Sequence, residues 1–437
     1  MSTIKTNAVQ IGQSPTATNN FTFYQPTTPD GSVRIGNGNA GAATDKITID
    51  SSGNVTPGVT NTQTLGIVGD VWSNVYATTF TGTTGTFTGN VQMASQNGGQ
   101  LAGLRNKIIN GDMRVAQYGT ASVNLTSTSQ FRADRFAAVS AGTTPPTVSF
   151  GFSTDGSVST SSGRHLFMQV SVAKGTLDAG NTTLLLQNIE GLNTADLLYG
   201  TASAKTITVS FRARIQNLAS AVIGVSIRNS TNNRSYVAPV TITSGSNTYS
   251  VTIPGDTSPT WLTDTGVGLR LTFCIGSGST FTAPTASEWQ DGNYVATSTT
   301  TNTTGTATAT FSISDVQLEV GTVATPFEQR PIGMELALCQ RYFQTGVFVN
   351  DVGALNGTTY YAAIRLKVTM RISPTTVTFT NPNVYAGTGG ALTFASTNQT
   401  IPDNMSVDTV GLALNLTTQP QGACRLLGGT YSATAEL

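Results

Sequence analysis

Apolar residues recur at every second position through most of this chain, the period of a strand with one face buried. Ile207, Val209, Phe211 and Ala213 alternate with Thr, Ser and Arg, as do Ile223, Val225 and Ile227, and again Leu269, Leu271, Phe273 and Ile275. Gly, Ser and Asn turns separate these runs, which predicts several antiparallel strands of a β-sandwich. Nearer the start the runs are shorter. Phe21–Tyr24, Val33–Ile35 and Lys46–Ile49 are each followed by a turn signal such as Gly36-Asn37-Gly38 or Ser52-Gly53-Asn54. Strands this short bury little alone and require a shared core.

Two places break the pattern. Phe311 and Ile313 are apolar at odd positions, whereas Val316, Leu318 and Val320 are apolar at even ones. A one-residue slip turns every later side chain to the other face, so a β-bulge or break is expected at Ser314-Asp315. Past Pro331, the segment 334–344 places Leu336, Cys339 and Tyr342/Phe343 at helical spacing without Gly or Pro, predicting one helix of about three turns. Its apolar face is expected to pack on the sheet that follows.

Composition narrows the class. Of 437 residues, 10% are charged and 38% hydrophobic, with formal net charge zero. The low charge and the abundance of Gly, Ser, Thr and Asn depart from ordinary soluble domains, yet the apolar content suffices for a core. No basic stripe offers itself to phosphates, and no stretch has the length of a membrane span, so neither nucleic-acid binding nor membrane insertion is expected. Residues 1–15 lack an apolar export core, which points to assembly in a cytoplasm.

Several motifs resemble those of one family. Thr64-Leu65-Gly66 followed by Val71-Trp72-Ser73-Asn74-Val75-Tyr76-Ala77 looks like a shaft segment of trimeric phage fibres. Ile108-Ile109-Asn110-Gly111-Asp112-Met113 is similar to the opening of jelly-roll carbohydrate-binding modules, and Arg132-Ala133-Asp134-Arg135-Phe136 to the segment that follows it in phage versions. The stretch Ser314–Phe343 resembles the junction between such a module and a small C-terminal β domain in bacteriophage tail fibre and receptor-binding proteins. Val368-Thr369-Met370-Arg371 with Pro374-Thr375-Thr376-Val377, and the ending Ala435-Glu436-Leu437, fit the same family.

The resemblance implies an all-β, elongated, trimeric fibre. Residues 1–60 would form a virion-attachment segment, 61–104 a short β shaft and linker, 105–330 the jelly-roll carbohydrate-binding-like domain, and 331–437 a C-terminal β domain carrying the helix 334–344. Its implied role is host attachment in the virion tail, with a homotrimer, tail or baseplate proteins and a host surface glycan as partners, and without catalysis. The alternatives are a purely structural virion fibre of the collar, baseplate or decoration kind, or a glycan depolymerase.

The single histidine, His165, has no nucleophile motif around it, and the carboxylates are scattered singly, several of them before Gly in turns (Asp30, Asp155, Asp291), whereas a glycosidase needs two facing each other. No phosphate-binding Gly loop is present. Cys274, Cys339 and Cys424 have neither metal spacing nor an even count and read as small buried hydrophobes. No cofactor is expected beyond a structural calcium that the resemblance implies at Asp112 and Asp315; the competing reading has Asp112 capping a turn and Asp315 bonding locally. For sugar binding, aromatic faces that stack on pyranose rings beside Asn, Asp and Arg are wanted. Trp261, Trp289 and Tyr294 lie in Pro/Gly/Thr-rich loop sequence, and Tyr360 and Tyr361 near the C-terminal loops. Each is a carbohydrate-binding candidate, with core or loop anchor as the alternative.

Overall fold

The computed structural model describes residues 8–58, 104–347 except 159 and 259, and, beyond these, 351–352, 354–356, 359–380, 383–386, 391–392, 405–415, 424–427 and 429–437. The expected shaft around Trp72 lies outside the described residues. Contacts divide the chain into two compact units, Met1–Val91 and Gln92–Leu437.

In the first unit the short runs become a five-stranded antiparallel meander of Ala8–Ile11, Phe21–Tyr24, Val33–Asn37, Thr44–Ile49 and Val55–Pro57. Its two faces are sorted unusually. The register aligns Val9, Phe23, Ile35, Ile47 and Pro57 across all five strands, flanked by Ile11 with Phe21 and by Val33 with Ile49 and Val55. Most of these apolar side chains are exposed, Val55 by 67%. The other face is polar and closed: Thr22, fully buried, donates to the Gly38 carbonyl at 2.9 Å, and the Arg34 guanidinium lies between Asp30 and Asp45.

The second unit is built on a β-sandwich. One sheet has six strands, in the order Asn247–Ile253, Ile207–Gln216, Thr310–Val320, His165–Val172, Thr147–Ser153 and Val123–Asn124. The other has seven: Trp289–Asp291, Arg234–Thr243, Ser220–Arg228, Val267–Ser277, Thr182–Glu190, Ala137–Ala141 and Gln130–Phe131. The alternating residues face each other between the sheets; Ile207, Val209, Phe211, Ile223, Val225, Leu271 and Phe273 are all fully buried in one core, and the rings of Phe211 and Phe273 meet edge to face at 5.0 Å. The chain is all-β in the jelly-roll manner.

The parity change in Thr310–Val320 is a β-bulge. Ser210 pairs with Gln317 but Arg212 with Ser314, so Phe211 opposes two residues, and Asp315 takes φ 49°. The extra residue restores the inward direction, leaving Phe311, Ile313, Val316 and Leu318 all buried.

The C-terminal segment carries one α-helix among the described residues, Ile332–Gln340, and small three- and four-stranded sheets. The helix begins two residues before the expected 334 and ends four before 344. Pro331, with φ −54°, sets its start. At the other end Phe343 and Gln344 open a strand, Phe343–Val347, paired to Thr430–Thr434, because sheet pairing outweighs the helical spacing of the aromatic pair. The residues it buries are Glu335, Cys339 and Gln340, with Leu336 and Leu338 half-buried. Cys274 and Cys339 are buried free thiols; the Cys424 side chain lies outside the description.

Candidate functional site

The turn that opens the sandwich domain is held by the hydrogen bonds of Asn110. Asn110 adopts φ 61°, accepts the Val115 N–H at 2.9 Å and donates to the Val115 and Asp134 carbonyls. Gly111 is required by contact, since a Cβ there would lie 2.1 Å from the Val316 carbonyl oxygen. Asp134 is buried and accepts the backbone N–H and side-chain amide of Gln117. Burial pushes its carboxyl up to about 6, against the lowering effect of those bonds.

Burial, with a smaller contribution from the nearby Asp315, raises the Asp112 carboxyl, but each residue has its own partner. Asp112 is ion-paired to Arg114, while both oxygens of Asp315 are taken by Ser161, through its N–H at 2.9 Å and its hydroxyl at 2.7 Å. Calcium wants six to eight oxygens. A guanidinium already sits on one of these carboxylates, and among the described residues no group of three or more His, Cys, Asp or Glu could hold a metal. These residues do not fit a cation.

Trp261 meets Trp289, on the edge strand of the seven-stranded sheet, in a cluster with Tyr199 and Tyr236. The two indole rings are 5.5 Å apart at 83°, and Tyr199 meets Trp261 at 5.0 Å and 81°. Both indole N–H groups are used internally, on Asp256 at 3.0 Å and on the Pro254 carbonyl at 2.8 Å. Edge-to-face rings present no common flat platform, and the notch beside Trp261 holds about 10 Å³, room for roughly one water. Tyr294 lies apart from this cluster, half-buried against Gly292. Tyr361 is 47% exposed on the strand Thr359–Arg365, and the Tyr360 side chain lies outside the description.

A cavity of useful size occurs elsewhere. Leu104, Lys107, Leu192, Asn193, Asp196 and Leu338 line a cleft of about 550 Å³ between the domain entry, the 3-10 turns after Thr182–Glu190 and the helix. That is within the range of roughly 300–1,000 Å³ typical of ligand sites. Its floor is braced. The Asn106 carboxamide oxygen accepts the N–H groups of Ile108 at 2.9 Å and Leu318 at 3.0 Å, and Arg330 donates to the Ile108 carbonyl at 3.0 Å while facing Glu335 at 3.4 Å. Lys107 donates to both Asp196 oxygens at 2.8 Å. Leu192 is 55% exposed, and the exposed Asn193 amide has no side-chain partner among the described residues. Apolar walls with a free amide and a fixed ion pair suit a ligand with both an apolar face and hydroxyls. None of the aromatic candidates lines this cleft. Its residues come from positions over 200 apart and form no local motif; the only sequence signal was the Asn-Gly-Asp turn beside them.

No family model matches the chain, and no curated protein sequence matches it. Among solved structures, the enzymatically active domain of tailspike protein 4 from bacteriophage CBA120 aligns at 12% identity over 49% of this chain and 21% of that chain, TM-score 0.27. The family 11 carbohydrate-binding module of Clostridium thermocellum, in complex with a mixed-linked tetrasaccharide, aligns at 13% over 47% of this chain and 99% of that chain, TM-score 0.25. The CBM22-1 xylan-binding domain of Paenibacillus barcinonensis Xyn10C aligns at 10% over 47% and 98%, TM-score 0.23. The chain thus spans about a fifth of the tailspike chain. At these scores the function has to be argued from the residues of this chain.

Proposed function

We propose that the protein is a bacteriophage tail fibre component that attaches a virion to a host surface glycan without catalysis, assembled as a homotrimer. The cleft over Leu192 and Asn193 carries the recognition part. It combines sugar-sized volume, exposed leucine and an unpartnered amide on a braced floor. Of the described residues lining it, one is a carboxylate, Asp196, and that one is tied to Lys107. Glycoside hydrolysis needs two carboxylates across the bond, so the arrangement supports binding rather than cleavage.

Self-association is supported by the bare apolar face of the N-terminal sheet. Five strands about 4.8 Å apart and roughly 15 Å long give a face on the order of 300 Å². A standard interface buries about 800 Å² per partner, so this face contributes only part of an interface, and the choice of three copies rests on the resemblance to phage fibres. The tail or baseplate attachment of this segment rests on its resemblance to phage fibres.

The test is binding of the full-length protein to host cells and to an array of bacterial surface polysaccharides, with Leu192→Asp and Asn193→Ala variants. Saturable binding lost in the variants, with the polysaccharide uncleaved, is the expected result. Unchanged binding in both variants would move recognition away from the cleft; shortened polysaccharide would establish a depolymerase.

A further inference from the structure

The outward side of the seven-stranded sheet contains two arginines directly opposite each other. Arg228 on Ser220–Arg228 pairs in register with Arg270 on Val267–Ser277, and Arg270 pairs in turn with Asn188. Cross-strand neighbours place their Cβ atoms roughly 5 Å apart, a position where like charges repel. Every partner they have is neutral. Arg228 donates to the Asn293 oxygen at 2.6 Å and to the Thr272 hydroxyl at 3.0 Å; Arg270 donates to the Asn188 oxygen at 3.3 Å and the Ser230 carbonyl at 3.2 Å. The Nε of each is buried without an acceptor.

Among the described residues the other fully buried arginines, Arg135 and Arg330, each meet a carboxylate, whereas the half-buried Arg132, Arg214 and Arg371 donate to carbonyl oxygens. Among the described residues no carboxylate lies within ion-pair distance of Arg228 or Arg270. Arg228 is 6% exposed, and burial together with Arg270 pushes its guanidinium down to about 10, which leaves it charged at neutral pH. An uncompensated buried charge is costly unless something outside the chain pairs it. Arg270 is only partly buried and is the member of the pair that solvent reaches. Its own contacts are polar and neutral: the Asn188 oxygen, whose amide nitrogen donates in turn to the Leu437 carbonyl at 2.8 Å, and the Ser230 carbonyl.

We propose that Arg228 and Arg270 form a second subsite, on the outer sheet face, that takes the oxyanion of an acidic glycan, a uronate carboxylate or a sugar sulfate. A guanidinium binds such groups through charge-assisted, often paired hydrogen bonds. The proposal rests on the glycan-binding reading but uses residues separate from the cleft.

Titration of the full-length protein with glucuronate, galactose 6-sulfate, neutral galactose and inorganic phosphate, followed by ligand-observed NMR, tests it. An acidic sugar is expected to bind at least tenfold more tightly than galactose, the preference shrinking with salt and disappearing in Arg270→Gln. Arg270→Gln removes one of two repelling charges, so it should fold; Arg228→Met serves as the second variant, with melting curves as the check on both. Equal binding of galactose and glucuronate, or an acidic preference intact in Arg270→Gln, overturns the proposal. Phosphate binding as tight as glucuronate overturns the glycan part of it. Cell binding that survives in Arg270→Gln while no anion binds defeats this subsite alone, whereas absence of cell and polysaccharide binding in the wild type defeats the attachment reading itself.

Discussion

The Glu190 carboxylate accepts both Nε and Nη2 of Arg341, at 2.9 and 2.7 Å, and also the Tyr342 hydroxyl at 2.6 Å. Glu190 ends a sandwich strand and Arg341 follows the helix, so this pair joins the C-terminal segment to the sandwich. Burial raises the Glu190 carboxyl, but these bonds outweigh it and hold the group below its usual range. Arg135 adds to the joint, lying 3.5 Å over the Tyr342 ring and pairing with Glu436. Glu190→Gln leaves Arg341 facing a neutral amide and should cost about 3 kcal/mol, the usual scale for breaking a buried pair. Chemical denaturation of the full-length protein checks it.

Asp134 provides a pH dependence of known sign. Its folded carboxyl is raised to about 6 from an ordinary value near 4. The folded state therefore binds the proton more tightly. The stability this contributes is complete below about pH 4 and is lost as pH rises through 6. Asp134→Asn should flatten the stability profile between these values, measured by melting at stepped pH; an unchanged slope would show that another group governs it.

At the bulge, Asp315 tolerates φ 49° and caps Ser161. Asp315→Val places a β-branched residue in that conformation and should cost about 2–3 kcal/mol, while Asp315→Asn should cost under about 1.5 kcal/mol. Since the Asp112 and Asp315 carboxylates are already engaged, calcium or a chelator should leave the wild-type melting temperature unchanged.

Trp261→Ala and Trp289→Ala should each destabilise by about 2–4 kcal/mol, because their rings pack on the core. Glycan binding measured well below the melting temperature should persist in both. Tyr361→Ala, at an exposed position, should change stability by less than about 0.5 kcal/mol, so any loss of cell binding there would identify a receptor contact.

Phe23→Asp or Ile47→Lys puts a charge in the middle row of the bare face of the N-terminal sheet. Light scattering should then report a smaller molar mass than for the wild type. An unchanged mass would place the contacts between copies elsewhere in the chain.

Much of the fold was legible because strand alternation is a local property. The period-two runs at Ile207, Ile223 and Leu269 became core strands, and the parity change at Ser314-Asp315 became a bulge, since one inserted residue is what such a shift requires. Short strands around Phe23 and Ile47 likewise followed from β-branched and aromatic runs between turns. The helix was found but displaced, because its last turn competes with a strand partner almost a hundred residues away.

Sites depend on contacts between distant parts of the chain, which periodicity does not encode. Loop composition drew attention to Trp261 and Trp289, but only the packed structure shows their N–H groups consumed and their rings set edge to face. The cleft joins residues near 107, 193 and 338, and the facing of Arg228 and Arg270 follows from the register of two strands 40 residues apart. By itself the sequence determined which residues turn inward, since burial follows from alternation along each strand. Which outward residues meet, and which charges are left without a partner, was decided by strand order and register, because those alone set the distances between them.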